Sequence, residues 1–176
     1  MLTQVLLFAG TLLLALNLVL TYGALRRLRE HDRLLNPEQG AAMNGVGETV
    51  AEFTATTTDG PALTRSGLGS GTLAGFFTPG CEPCREKLPE FVRVAAVHSA
   101  GRDGVLAVVV GDPESAAADV RLLEPVARVV VASRGDEILT AFGVQAFPSI
   151  CTLGDHSRIV ALGLAASEPT LTGGSR

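Results

Sequence analysis

The chain opens on a long apolar run and then changes period. Leu2 to Ala24 is broken only by Thr3, Gln4, Gly10, Thr11, Asn17, Thr21, Tyr22 and Gly23. About 20 helical residues at ~1.5 Å each cross a hydrocarbon core of ~30 Å, so this run predicts a transmembrane helix. A cleaved signal peptide would place basic residues ahead of a shorter run and small residues at its end. No Lys or Arg precedes this run, and bulky Arg26 and Arg27 follow it. The run is therefore read as an uncleaved anchor over residues 1–25. Leu25, Leu28 and Leu35 keep a rough helical spacing as far as Pro37, which restricts Asn36. Pro37 to Gly47 is rich in Gly, Ala and Asn, so residues 26–45 are read as a juxtamembrane stem and tether.

From Val46 the pattern is that of a globular domain, assigned to residues 46–164. Val50 to Thr57 alternates and is Thr-rich, which predicts a strand, and Asp59-Gly60 is a turn leading into Ala62-Leu63. Leu73 to Phe77 is a short apolar run, hence a buried strand. After it, Cys84, Leu88, Phe91, Val92 and Ala95 fall on one face of a helix spanning Glu82 to His98. Pro89 lies inside that helix and is expected to kink it. Val105 to Val110 is continuous and β-branched, as in a strand covered on both faces. Asp112-Pro113 is an N-cap followed by proline at the first helical position, opening a helix to about Leu123. Val126 to Val131 is a further buried strand, and Asp136 to Phe142 a helix stopped by Gly143. Ser149 to Leu153, a Gly154-Asp155 turn and Arg158 to Leu162 form a hairpin. Residues 165–176 are a small, polar C-terminal tail. Strands alternating with helices indicate an α/β sheet, made mixed by the terminal hairpin.

Composition narrows the chemistry. With 176 residues and a net charge of −4, the chain has room for one real core and no general polyanion-binding surface. Trp is absent and aromatics make up 5% of the chain, so stacking platforms for nucleic acid are not supported. Gly67-Leu68-Gly69-Ser70-Gly71 looks superficially like a phosphate loop, but it precedes a strand and does not open a helix. Three cysteines are too few for a disulfide scaffold, and two of them form Cys81-Glu82-Pro83-Cys84.

That pair is the strongest chemical signal in the chain. Cys81 follows a strand and opens a helix, where unsatisfied backbone N–H groups and the helix dipole stabilise a thiolate. Cys81 thereby becomes a usable nucleophile. Cys84, one turn later, can attack the resulting mixed disulfide and release the substrate. Zinc would want four ligands, often in two paired motifs. Beyond the pair there are only Cys151 and the scattered His31, His98 and His156, so no metal site is expected. Cys151 sits in an apolar strand; a buried structural cysteine is favoured over a third catalytic thiol.

With these elements in place the chain resembles the thioredoxin superfamily. More narrowly, it is similar to the membrane-anchored bacterial thiol–disulfide oxidoreductases, including cytochrome c maturation proteins and methylamine-utilisation accessory thioredoxins. The resemblance covers residues 46–163. It rests on the entry Gly47 to Phe53, on Phe76 through Cys84, on Leu88-Pro89, and on Phe142 to Ser149 before the hairpin. The N-terminal anchor with arginines behind it looks like the methylamine-utilisation subgroup. The resemblance implies a thioredoxin-like mixed sheet flanked by helices and preceded by one transmembrane helix. It also implies a redox-active disulfide between Cys81 and Cys84. It makes Pro148 a cis-proline facing the cysteines, with Phe147 pairing an extended substrate segment and Thr78 and Pro79 lining the same groove. From the residues alone Pro148 could equally start a strand.

Several positions depart from the family pattern. Pro79-Gly80 stands where many thioredoxins carry Trp. Gly75 takes the place of a buried acid, and Lys87 that of the Glu found in the cytochrome c maturation subgroup. Each acid would help deprotonate the resolving thiol. Glu82, Glu86 or water could substitute, although solvated helix charges are the simpler reading of both residues.

The resulting expectation is a membrane-tethered enzyme exchanging disulfides with protein substrates, without a cofactor. A membrane redox partner resets it, and residues 2–24 contact the bilayer. A thiol peroxidase is a second reading, because Thr78 precedes Cys81 by three residues as at peroxiredoxin sites, although Ala74 replaces the expected proline. A copper chaperone is a third; it needs a suitable downstream histidine, for which His156 is the only candidate. Arg26, Arg27, Arg29 and Arg33 argue for a cytoplasmic domain. The family, and the compartment where disulfides form, argue for the extracytoplasmic side, which is preferred.

Overall fold

The computed structural model describes residues 42–164, together with Gln4. The anchor expected over residues 1–25, most of the stem and the tail at 165–176 lie outside the described residues. Among the described residues no helix is long and apolar enough to cross a membrane.

The elements are β1 (Thr54–Thr56), β2 (Ala62–Thr64), β3 (Leu73–Phe77), α1 (Glu82–Ala96), β4 (Val105–Val110), α2 (Pro113–Leu123), β5 (Arg128–Ala132), α3 (Glu137–Ala141), β6 (Ser149–Leu153) and β7 (Ile159–Leu162). The main sheet runs β5-β4-β3-β6-β7. Its β3–β4 and β4–β5 pairs are parallel, and its β3–β6 and β6–β7 pairs antiparallel. β1 and β2 form a separate antiparallel hairpin. That hairpin guards one sheet edge, since the Thr58 N–H donates to the Val129 carbonyl at 2.8 Å.

The alternation of side chains along the strands divides the core into two layers. Leu73, Phe77, Val105, Ala107, Val109 and Ile150 pack against the buried stripe of α1, which is Cys84, Leu88, Phe91 and Ala95. Ala74, Phe76, Leu106, Val108 and Cys151 face the other way, towards α3 and the entry segment. There Phe142 holds its ring centroid 4.9 Å from Phe76 and 5.9 Å from Phe53. β3 and β4 have the predicted limits and are buried at every residue. α1 continues unbroken past Pro89 to Ala96. α3 ends where Gly143 adopts φ +61°, a left-handed turn that side chains disfavour.

Two expectations change in the entry segment. The strand read over Val50 to Thr57 shrinks to Thr54–Thr56. Val50 and Ala51 give their N–H groups to the carbonyls of Ser157, in the turn before β7, and of Ala141, at the end of α3, so they never join a ladder. The tether read through Gly47 stops short of Met43, which is buried in the core with 6% exposure. Around it the Asn44 N–H donates to the Phe142 carbonyl and Gln145 N–H to that of Ala42. Composition is blind to this packing because a single apolar side chain carries it.

Candidate active site

β3 delivers the chain from the sheet centre into the turn Thr78-Pro79-Gly80. The Thr78 hydroxyl donates to the Val110 carbonyl at 2.7 Å, tying the turn to the end of β4. Cys81 is then the N-cap of α1, with extended backbone, and its Sγ accepts the Cys84 N–H at 3.3 Å. A sulfur thus takes the place that an Asp or Ser oxygen occupies in an ordinary cap. Pro83 sits in the first turn, where its missing N–H costs nothing.

The two thiols differ in access. Cys81 is half-buried, whereas Cys84 is 4% exposed and belongs to the buried stripe of α1. Burial, then the hydrogen bond with Cys81, push the Cys84 thiol up to about 12, with negative charge on Cys81 and Asp119 adding to the rise. The peptide bond Phe147–Pro148 is cis. The loop it belongs to reaches the first cysteine, for the Cys81 thiol faces the Phe147 carbonyl at 3.8 Å. Thr78, Pro79, Cys81 and Cys84 line one cavity of about 200 Å³, which also takes in Ser115 and Asp119 from α2. A larger groove of about 780 Å³ continues from Thr78 and Pro79 past Asp112 to Arg134.

Cys151 stands apart. It pairs in register with Ala74 and points to the α3 layer, while its neighbour Ile150 points to the α1 layer. The sheet therefore lies between Cys151 and the cysteine pair. Its thiol is fully buried, and burial pushes it up to about 12. His156 lines a separate cavity with Arg65 and Ser66. Among the described residues no group of three or more His, Cys, Asp or Glu is placed to hold a metal ion.

The departures from the family pattern acquire a physical form. A Cβ at Gly75 would lie 2.5 Å from Phe91 and 2.8 Å from Phe77, so the two edge-to-face rings fill the space an acid would use. Glu82 pairs with Arg85 at 3.0 Å and Lys87 with Glu90 at 2.9 Å, all on the outer side of α1. Glu86 is exposed. The acid that does share the cavity with Cys84 is Asp119, which sequence reasoning does not find. Its only trace in the sequence is that Ser115, Ala118 and Asp119 fall on one face of α2.

Comparison with known proteins agrees with this architecture. The Redoxin family matches residues 45–173. The thioredoxin domain of a thiol-disulfide oxidoreductase from Bacteroides vulgatus is similar with a TM-score of 0.57 and 19% identity, over 69% of this chain and 89% of that one. A thiol:disulfide interchange protein from Bacteroides sp. gives 0.56 and 18%, over 70% and 84%. A thio-disulfide isomerase from Thermus thermophilus gives 0.54 and 22%, over 68% and 86%. No curated protein matches the sequence. The fold is thioredoxin-like, a mixed sheet flanked by helices.

Proposed function

The chain belongs to the Redoxin family, and from that premise we propose that it is a thiol–disulfide oxidoreductase working on protein substrates through Cys81 and Cys84. The observation that carries this reading is the asymmetry of the pair. An accessible sulfur caps a helix, and a buried sulfur stands one turn behind it, the two linked through the Cys84 N–H at 3.3 Å.

Cys81 thiolate attacks one sulfur of a substrate disulfide, and the other leaves as thiolate. Cys84 then attacks Cys81, the Cys81–substrate bond breaks, and the second substrate thiol departs. The enzyme pair is oxidised by two electrons and the substrate is reduced; the reverse sequence oxidises a dithiol. Thr78, Pro79, Phe147 and Pro148 form the rim against which an extended substrate segment lies, with backbone groups of the Phe147 loop available for strand-like pairing. Residues 2–24 anchor the domain on the extracytoplasmic side, where a membrane redox partner resets the pair. The Cys81-Glu82-Pro83-Cys84 motif favours substrates of the cytochrome c maturation type, and the anchor followed by arginines favours those of methylamine utilisation.

Trapping tests the assignment. Cys84→Ala should accumulate mixed disulfides with its substrates, and Cys81→Ala should accumulate none. Equal trapping by the two variants would overturn the assigned roles.

A further inference from the structure

Cys84 has a proton to lose and no acid at the family's usual places. Gly75 cannot carry one, because Phe77 and Phe91 occupy the volume. Glu82 and Glu90 are engaged with Arg85 and Lys87 on the outer side of α1. Resolution of a mixed disulfide nevertheless requires the Cys84 thiolate, and burial holds that thiol protonated at neutral pH.

We propose that Asp119, reaching the cysteine cavity from α2, is the group that accepts the Cys84 proton during resolution and returns it in the reverse reaction. The inference rests on the thiol–disulfide reading. Three features support it. Asp119 and Cys84 are walls of the same cavity, which at about 200 Å³ is roomy enough for bridging water. Asp119 is half-buried, and none of the ion pairs or side-chain hydrogen bonds among the described residues engages its carboxylate. Burial raises its proton affinity above that of an ordinary aspartate, which brings donor and acceptor closer together. The other charged or titratable groups on the cavity wall are Cys81 and Arg85, both from α1, and Arg85 is held outward by Glu82.

The Cys84 S–H gives its proton to the Asp119 carboxylate. The Cys84 sulfur attacks the Cys81 sulfur of the mixed disulfide, forming the Cys81–Cys84 bond. The Cys81–substrate bond breaks, the substrate sulfur leaves with the electron pair, and the proton on Asp119 returns to it or to water.

Stopped-flow reaction of the reduced full-length protein with Ellman's reagent separates the steps. One thionitrobenzoate is released when Cys81 attacks, and a second when Cys84 resolves. Asp119→Asn should slow the second release about 100-fold at pH 7 while leaving the first within about twofold, since general-base assistance typically contributes 10²–10⁴-fold. The lost rate should return as pH rises, about tenfold per unit, and Asp119→Glu should restore much of it at pH 7. A second release that is unchanged in Asp119→Asn from pH 6 to 9 would overturn the role of Asp119 and leave the cysteine assignment standing. Equal slowing of both releases, without the pH recovery, would also overturn it, as damage to the fold. Absence of a second release from the wild-type protein would instead overturn the cysteine pair itself, and Asp119 with it.

Discussion

Cys84 and Cys151 both hold their protons tightly, but for different reasons. Cys151 does so through burial alone, whereas Cys84 adds a hydrogen bond with Cys81 and neighbouring negative charge. Each folded-state value is raised to about 12 from an ordinary 9.0, so the folded protein binds these protons more strongly than the unfolded chain. Their contribution to stability is therefore complete below the unfolded value and is lost as pH rises through the folded one. Reduced protein should show a urea midpoint that falls steadily between about pH 9 and 11, and Cys151→Ala should fall less steeply over that window. Parallel curves would mean that Cys151 titrates alike in both states. The sequence already marks Cys151 as buried, through the apolar strand around it. It does not say which side of the sheet the thiol takes; that depends on the register of β6 against β3, a contact between distant segments. Asp119 is illegible for a similar reason, because the cysteines and the turn that complete its cavity lie far from its own helix in sequence.

α2 shows local chemistry that reads directly from sequence. Asp112 accepts the Ser115 N–H at 2.9 Å and the Ser115 hydroxyl at 2.7 Å, and Pro113 follows it inside the first turn. The hydrogen bonds from Ser115 hold the Asp112 carboxyl below the usual carboxylate range. A lowered value gives stability that is present above the unfolded value and lost as pH falls through the folded one. Asp112→Ala should thus lower the thermal midpoint at pH 7, and the gap to the wild type should narrow below about pH 4. A gap that stays constant into acid would remove the charged cap as its cause. β3 and β4 are equally legible, because unbroken apolar runs ending at Thr78 and Gly111 leave little freedom in where a strand stops. β1 is not. Val50 to Thr57 reads as a strand, yet the hydrogen-bond partners of Val50 and Ala51 are Ser157, in the turn before β7, and Ala141, at the end of α3. Hydrophobic period reports which side chains are covered, not what the backbone pairs with. β5 likewise starts two residues late, since the N–H groups of Val126 and Ala127 both return to the Leu123 carbonyl.

At the scale of the whole chain the resolvable question is where the domain begins. Removal of residues 1–41 should leave a soluble, folded, redox-active domain. The full-length chain should sediment with membranes and react with a non-permeant thiol reagent added from outside. Removal of residues 1–47 takes away Met43, whose burial alone is worth about 2–5 kcal/mol by analogy with Met→Ala in cores. The shorter domain should unfold at clearly lower urea; equal midpoints for the two truncations would show that Met43 contributes nothing. The fold class is legible at this scale because strands and helices alternate. The neighbour relations are not, since β6 joins β3 only after two intervening strands and three helices have been made.

That strand order has a consequence in time. The Cys81 thiol meets the carbonyl of Phe147, a residue 66 positions further along the chain. At roughly 5–20 residues per second, synthesis delivers the cysteines about 3–13 s before the loop that covers them exists. A nascent chain thus presents an open dithiol, with neither rim nor groove to select what it reacts with. Mispairing with passing disulfides is a hazard of birth and not of the finished protein. A circular permutant that places β6 and β7 ahead of β3 would abolish the interval without altering a single contact of the finished sheet.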